Sequence, residues 1–186
     1  MPSTPARTAV ITGATSDRGI GMTVAQRYAR EGWAVVILDL DVVAAELVAA
    51  AHSATDRGVE LWSESLHFYR LCYDLDRATA LTSRLPEQVG IVMDFSHIVA
   101  SGGDPVEFVE RFGPRIAHVH IRDAVPGDIN LSVGNGDVEF AFGLKALSHT
   151  GYAGHFSLEL ETRDITHDER PAAAARAGRY ITELIK

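Results

Sequence analysis

Residues 89–123 read VGIVMDFSHIVASGGDPVEFVERFGPRIAHVHIRD. An apolar run ends at Asp94, residues 105–111 carry apolar positions at helical spacing, and a second apolar, partly β-branched run occupies residues 116–121. A strand followed by a helix and another strand pairs in parallel, because the helix supplies the crossover that parallel strands require. The same unit recurs outward in both directions. Strands are expected at 8–11, 33–38, 59–63, 89–93, 116–121 and 155–160. Helices are expected at 22–31, 42–54, 76–84, 105–111, 139–149 and 171–185. Six strands alternating with six helices define an α/β chain of parallel βα repeats.

The chain has 186 residues, 46% of them hydrophobic and 23% charged, enough for one sizeable core. A βα unit with its loops takes roughly 30 residues, so about six units fit, against eight in the roughly 250 residues of a complete (β/α)₈ barrel. A standard closed barrel is not expected from this length. With 25 acidic against 17 basic side chains and a pI near 5.4, the chain has no general basic field for phosphate backbones or anionic lipid. Neither nucleic acid nor membrane is expected as a partner. Cys72 is the single cysteine, which excludes an internal disulfide and a CxxC zinc pair. The opening MPSTPARTAV has no long apolar segment, and no run approaches 18 apolar residues, so a cytoplasmic location is expected.

The last four expected strands each finish in an ionisable residue: Glu64 in LWSESLH, Asp94 in IVMDFSH, His120 in IAHVHIRD and Glu159 in HFSLELE. Successive parallel strands would gather these three carboxylates and one imidazole at the C-terminal edge of a sheet, where βα barrels place their active sites. Uncompensated, that charge is expensive to bury, and a divalent cation compensates it. Three oxygen donors with one nitrogen favour Mn²⁺, Mg²⁺ or Co²⁺ over a thiolate-type zinc site. His118, His120 and Arg122 alternate and so share a face; His118 reads as an interior hydrogen-bonding histidine. Glu161 reads as a rim residue or reserve ligand. His97 either faces the site or caps a turn, and His67, Tyr69 and Arg70 either line the pocket mouth or form an ordinary polar loop. Residues 134–137, GNGD, read as a turn and helix cap, and Trp33, Phe108, Phe112 and Phe142 as core.

At the other end, TGATSDRGIG at residues 12–21 joins the first strand to the first helix. Gly13, Gly19 and Gly21 would let the backbone approach a pyrophosphate at the helix N-terminus. Asp39, 18 residues after Gly21 at the end of the next strand, would accept from the ribose hydroxyls of NAD and repel the 2′-phosphate of NADP. Val24, Ala25, Tyr28 and Ala29 form the stripe expected to lie on the sheet. A glycine turn retained only for strand-to-helix packing would look the same.

Residues 6–45 resemble the opening of the short-chain dehydrogenase/reductase family, in a variant with a loop two residues longer than the usual TGxxxGxG. That family's catalytic Tyr and Lys, four apart, have no match here: no tyrosine is followed four residues later by lysine. The resemblance therefore implies NAD binding without reductase chemistry. Residues 50–186 resemble the sugar isomerase/epimerase family with a xylose isomerase-like TIM barrel. That resemblance rests on Glu64, Asp94, His120 and Glu159 in order, the 26 residues from Asp94 to His120, DFSH, HVHIRD, the VGNGD loop and GYAGHFSLELE. It implies one divalent metal held by those four residues. It also implies proton exchange on a sugar or sugar phosphate by Glu64 and Glu159, with His97 and Arg122 orienting the substrate. The family's first four βα units are absent, and a Rossmann-like βαβ stands in front.

The sequence thus reads as a chimera: residues 1–48 a Rossmann-like dinucleotide-binding segment, residues 49–186 a xylose isomerase-like half-barrel. The whole is a partial or rebuilt TIM-barrel-like fold, expected to self-associate through the strand edges that an opened barrel leaves. A metal-dependent sugar isomerase or epimerase is one reading of its function. A catalytically silent chimera, or an NAD-binding fragment, is the other.

Overall fold

The computed structural model of the chain describes residues 8–12, 20–31, 33–38, 40–64, 66, 68, 70–159 and 162–186. All six expected strands and all six expected helices form, within a few residues of their expected ends. They are β1 (Thr8–Thr12), α1 (Ile20–Arg30), β2 (Ala34–Leu38), α2 (Leu40–Thr55), β3 (Trp62–Ser63), α3 (Leu75–Thr82), β4 (Gly90–Asp94), α4 (Phe95–Ala100), α5 (Pro105–Phe112), β5 (Ile116–Ile121), β6 (Asp123–Val125), β7 (Asp128–Leu131), α6 (Phe140–His149), β8 (Phe156–Leu158) and α7 (Arg170–Leu184).

Parallel strands β3-β4-β5-β8 form one sheet in chain order, and β1 and β2 pair in parallel as a sheet of their own. In β4 the alternation is sharp. Ile91 and Met93, at 1% and 0% exposure, enter the core beneath the helices, while Gly90, Val92 and Asp94 take the other face. The core joins them to Phe95 and Ile98 of α4, Phe108 of α5, Val119 and Ile121 of β5, Leu144 and Leu147 of α6 and Ile181 of α7. A second cluster packs Ala44 and Ala51 of α2 against Cys72, Leu81, Leu85 and Val89, which ties the N-terminal unit to the rest. The boundary expected between residues 48 and 49 falls inside α2, a continuous helix. No helix among the described residues is long and apolar enough to cross a membrane.

Besides the additional helix α4, three features differ from expectation. Phe142 is 63% exposed, because the buried stripe of α6 runs through Phe140, Gly143, Leu144 and Leu147 and leaves position 142 on the opposite side. Along α1, Val24 and Ala29 are exposed and Tyr28 is half-buried, its ring 4.9 Å from that of Trp33. Two strands about 4.8 Å apart are too narrow to cover a helix about 10 Å wide. The third is the antiparallel β6-β7 hairpin, turned at Pro126-Gly127 with Gly127 at φ +89°. Proline followed by a glycine of positive φ is the signature of a type II turn.

Candidate metal centre

Asp94 closes β4 and caps α4. Its Oδ1 accepts from the Ser96 amide at 2.7 Å, the Ser96 hydroxyl at 2.6 Å and the His97 amide at 3.2 Å. Every donor thus falls on one oxygen, and Oδ2 is buried with no hydrogen-bond partner. Asp94 lies directly opposite His120 in the β4-β5 register, and His120 opposite Ser157 in the β5-β8 register. Glu159 follows β8, its amide donating to the Ile121 carbonyl at 3.0 Å. Glu64 follows β3 on the face of Trp62. The register therefore carries all four residues to one spot at the C-terminal edge of the sheet.

His120 Nδ1 stands 3.4 Å from Glu64 Oε1, 3.7 Å from Asp94 Oδ2 and 3.7 Å from Glu159 Oε1. These separations exceed a good hydrogen bond, and Nδ1 is buried without a hydrogen-bond partner. Ligands each about 2.1 Å from one ion lie roughly 3 to 4 Å from one another. The donor set therefore fits a divalent cation by chemistry and by spacing. Asp94, His120 and Glu159 form one group able to hold an ion, and Glu64, Asp94 and His97 another.

The tautomer of His97 separates the two groups. Its Nδ1 accepts from the Phe68 amide at 3.1 Å, so the neutral ring carries its proton on Nε2. That nitrogen faces Asp94 Oδ2 at 3.9 Å as an N–H donor and has no lone pair for a metal. His97 is 2% exposed, and the Phe68 amide fixes its Nδ1 side.

Arg122, 4% exposed, donates from Nε to the Ser96 hydroxyl at 3.1 Å, while Nη2 lies 2.8 Å from Glu159 Oε2 and 3.7 Å from Asp94 Oδ2. Burial pushes the Asp94 carboxyl up, but His120, His97, the Ser96 hydroxyl and Arg122 together hold it down at about 2. His120 is pushed up to about 10 by Asp94 and Glu64, against its burial. Glu159 is raised, first by burial and then by the Asp94 and Glu64 charges, with Arg122 and His120 opposing.

The remaining expected residues divide in three. His118 lies one layer deeper, its Nε2 2.9 Å from Ser157 Oγ and its ring stacked on Trp62 with centroids 5.5 Å apart. Burial and the neighbouring His120 and His155 lower its pKa, as for an interior imidazole. Gly134, at φ +97°, donates its amide to Asp123 Oδ2 at 2.8 Å, and the Val138 amide donates to Asp123 Oδ1 at 3.1 Å, so the GNGD turn closes on a carboxylate. Arg70 is exposed. Gly21 lies in the first turn of α1, whereas Gly13, Gly19, Asp39, His67, Tyr69 and Glu161 lie outside the described residues. Sequence reasoning missed Ser96 and Asp123, both at most 1% exposed. For Ser96 the available signal was its place two residues after a strand-end aspartate, where a serine folds back on the carboxylate.

Residues 16–184 match the family described as Xylose isomerase-like TIM barrel. The chain is 36% identical over 107 residues to the rhizopine catabolism protein MocC of Rhizobium meliloti, covering 47% of this chain and 32% of that protein. It is 26% identical over 106 residues to an inosose dehydratase of Lacticaseibacillus casei, covering 47% and 35%. The chain thus spans about a third of the length of these curated relatives. Among solved structures, a D-tagatose 3-epimerase-like protein superposes with a TM-score of 0.65 at 21% identity, over 97% of this chain and 65% of that one. The IOLI protein with a binding zinc atom superposes with a TM-score of 0.60 at 18% identity, over 96% and 63%. The family match and the first superposition take in α1, β2 and α2 as part of the barrel-type fold. They lend no support to a dehydrogenase-like segment there, nor to a chimera.

Proposed function

The chain belongs to the xylose isomerase-like TIM barrel family, and on that premise we propose that it is a metal-dependent isomerase or epimerase of a small sugar or sugar phosphate. One observation carries the reading: three carboxylates from three strands converge within 3.4 to 3.7 Å of a single buried imidazole nitrogen. Sugar epimerases among its structural relatives and a zinc-bearing one support it. Glu64, Asp94, His120 and Glu159 would hold Mn²⁺, Mg²⁺ or Co²⁺, which when bound supplies Lewis-acid polarisation of a substrate carbonyl.

The protein's own groups do the rest. Glu159, raised by burial, takes a carbon-bound proton and Glu64 returns one from the other side of the same carbon, or the reverse. Arg122 holds Glu159 Oε2 and offers positive charge to the oxygen on which negative charge develops. His97 donates from Nε2 to a sugar hydroxyl. The test is NMR of ketohexoses and ketopentoses in D₂O with Mn²⁺-loaded protein. Deuterium should enter the carbon next to the carbonyl, stop on chelation and fall at least 100-fold in Glu159→Gln. Exchange surviving both changes would refute the mechanism.

A second reading attaches to residues 1–48. The parallel β1-β2 pair, with the glycine-rich sequence of residues 12–21 running from the end of β1 into α1, is an order of elements compatible with a dinucleotide site. Quenching of NADH fluorescence, weakened by Asp39→Ala, would support nucleotide binding, and the absence of quenching would remove it.

A further inference from the structure

Asp94 and Glu159 share a division of labour between their two oxygens. On Asp94, Oδ1 takes all three hydrogen bonds and Oδ2 faces His120. On Glu159, Oε2 is buried and pairs with Arg122 Nη2 at 2.8 Å as an ion pair without hydrogen-bond geometry, and Oε1 faces His120 at 3.7 Å. One side chain links the two anchors. The Ser96 hydroxyl donates to Asp94 Oδ1 at 2.6 Å and accepts from Arg122 Nε at 3.1 Å. Ser96 is fully buried, so no water can replace that hydroxyl without rearrangement. The guanidinium is planar, so fixing Nε also fixes the direction in which Nη2 meets Glu159.

We propose that Ser96 is a positioning residue that makes both carboxylates present one oxygen each to the ion, acting directly on Asp94 and through Arg122 on Glu159. The proposal rests on the metal-dependent reading above. Without the hydroxyl, Asp94 loses its shortest hydrogen bond and Arg122 Nε is left buried without its acceptor. The guanidinium then turns, and Glu159 can swing both oxygens toward the cluster or away from it.

The experiment measures Mn²⁺ affinity by isothermal titration for the wild-type protein, Ser96→Ala, Arg122→Lys and the double variant, with thermal unfolding of each metal-free protein alongside. Outer partners of metal ligands are worth about 10–100-fold in affinity, so each single variant should weaken binding by that factor. The double variant should lose less than the product of the two, because both break one link. A residue that only packs would lower the unfolding temperature and leave affinity alone. Ser96→Ala binding Mn²⁺ within twofold of wild type overturns the proposal, as does a double variant whose losses multiply. If Ser96→Ala does not fold, Arg122→Lys at full affinity overturns it. Wild-type protein that takes up no Mn²⁺ removes the metal reading and this proposal together, whereas uptake indifferent to Ser96→Ala removes this proposal alone.

Discussion

His120 is the residue on which the site's behaviour turns. In the metal-free protein the flanking carboxylates keep its ring protonated up to about pH 10, and a protonated imidazole cannot ligate. Metal binding at neutral pH must therefore expel a proton, and affinity should rise about tenfold per pH unit for one displaced proton until the ring loses it unaided. Calorimetry in two buffers of different ionisation enthalpy should show close to one proton released per ion at pH 7; none released would contradict the assignment. Asp94 has the opposite sign. Its folded-state pKa, about 2 against an ordinary 3.8, adds stability that is complete above the ordinary value and is lost as pH falls through the folded one. The wild-type acid transition should therefore steepen between pH 4 and 2, and Asp94→Asn should remove that component. The same variant should abolish metal-induced stabilisation. An ion at about 100 times its Kd adds about 2.7 kcal/mol, which for a chain of this size is roughly 5–10 °C in Tm.

At the scale of elements, α6 rests on α4 through a glycine. A Cβ at Gly143 would meet Phe95 Cε1 at 2.5 Å and Pro105 Cβ at 3.1 Å, and Phe95 is wholly buried and cannot yield. Helix propensity alone would favour alanine by about 1 kcal/mol, but overpacking costs about 1–3 kcal/mol. Gly143→Ala should therefore lower the urea midpoint, and a raised midpoint would show that the α4-α6 contact is looser than described. The strands were legible in the sequence because each is a short apolar run, and the four site residues because they are the ionisable residues that close the last four of them. The helix α4 was not. All six of its residues are buried, so it shows no polar face and no 3.6-residue period. The β6-β7 hairpin was missed although Pro126-Gly127 marks its turn, since the strands flanking it are only three and four residues long. Phe142 was misjudged because an aromatic residue amid apolar neighbours gives no sign of which side of the helix it takes.

Over the whole molecule, the sheet that carries the site is open. Its terminal strands β3 and β8 pair with no further strand among the described residues, and the face bearing Trp62, Val92 and His118 is only partly covered, Trp62 being 43% exposed. Unpaired edges and an uncovered inner face favour pairing with another copy. Light scattering across a dilution series should show self-association, and a monomer at every concentration would mean that β1 and β2 shield the sheet within one chain. How the N-terminal unit contributes was beyond the sequence, where a glycine loop between strand and helix fits a dinucleotide site and a barrel βα turn alike. The convergence of Glu64, Asp94, His120 and Glu159 on one ion is the claim from which the function follows. Anomalous diffraction at the manganese edge from crystals grown with Mn²⁺ tests it most directly. One strong peak should appear within bonding distance of a carboxylate oxygen from each of Glu64, Asp94 and Glu159 and of His120 Nδ1. Manganese bound elsewhere, or well-ordered side chains closing on one another with no peak between them, would contradict the account.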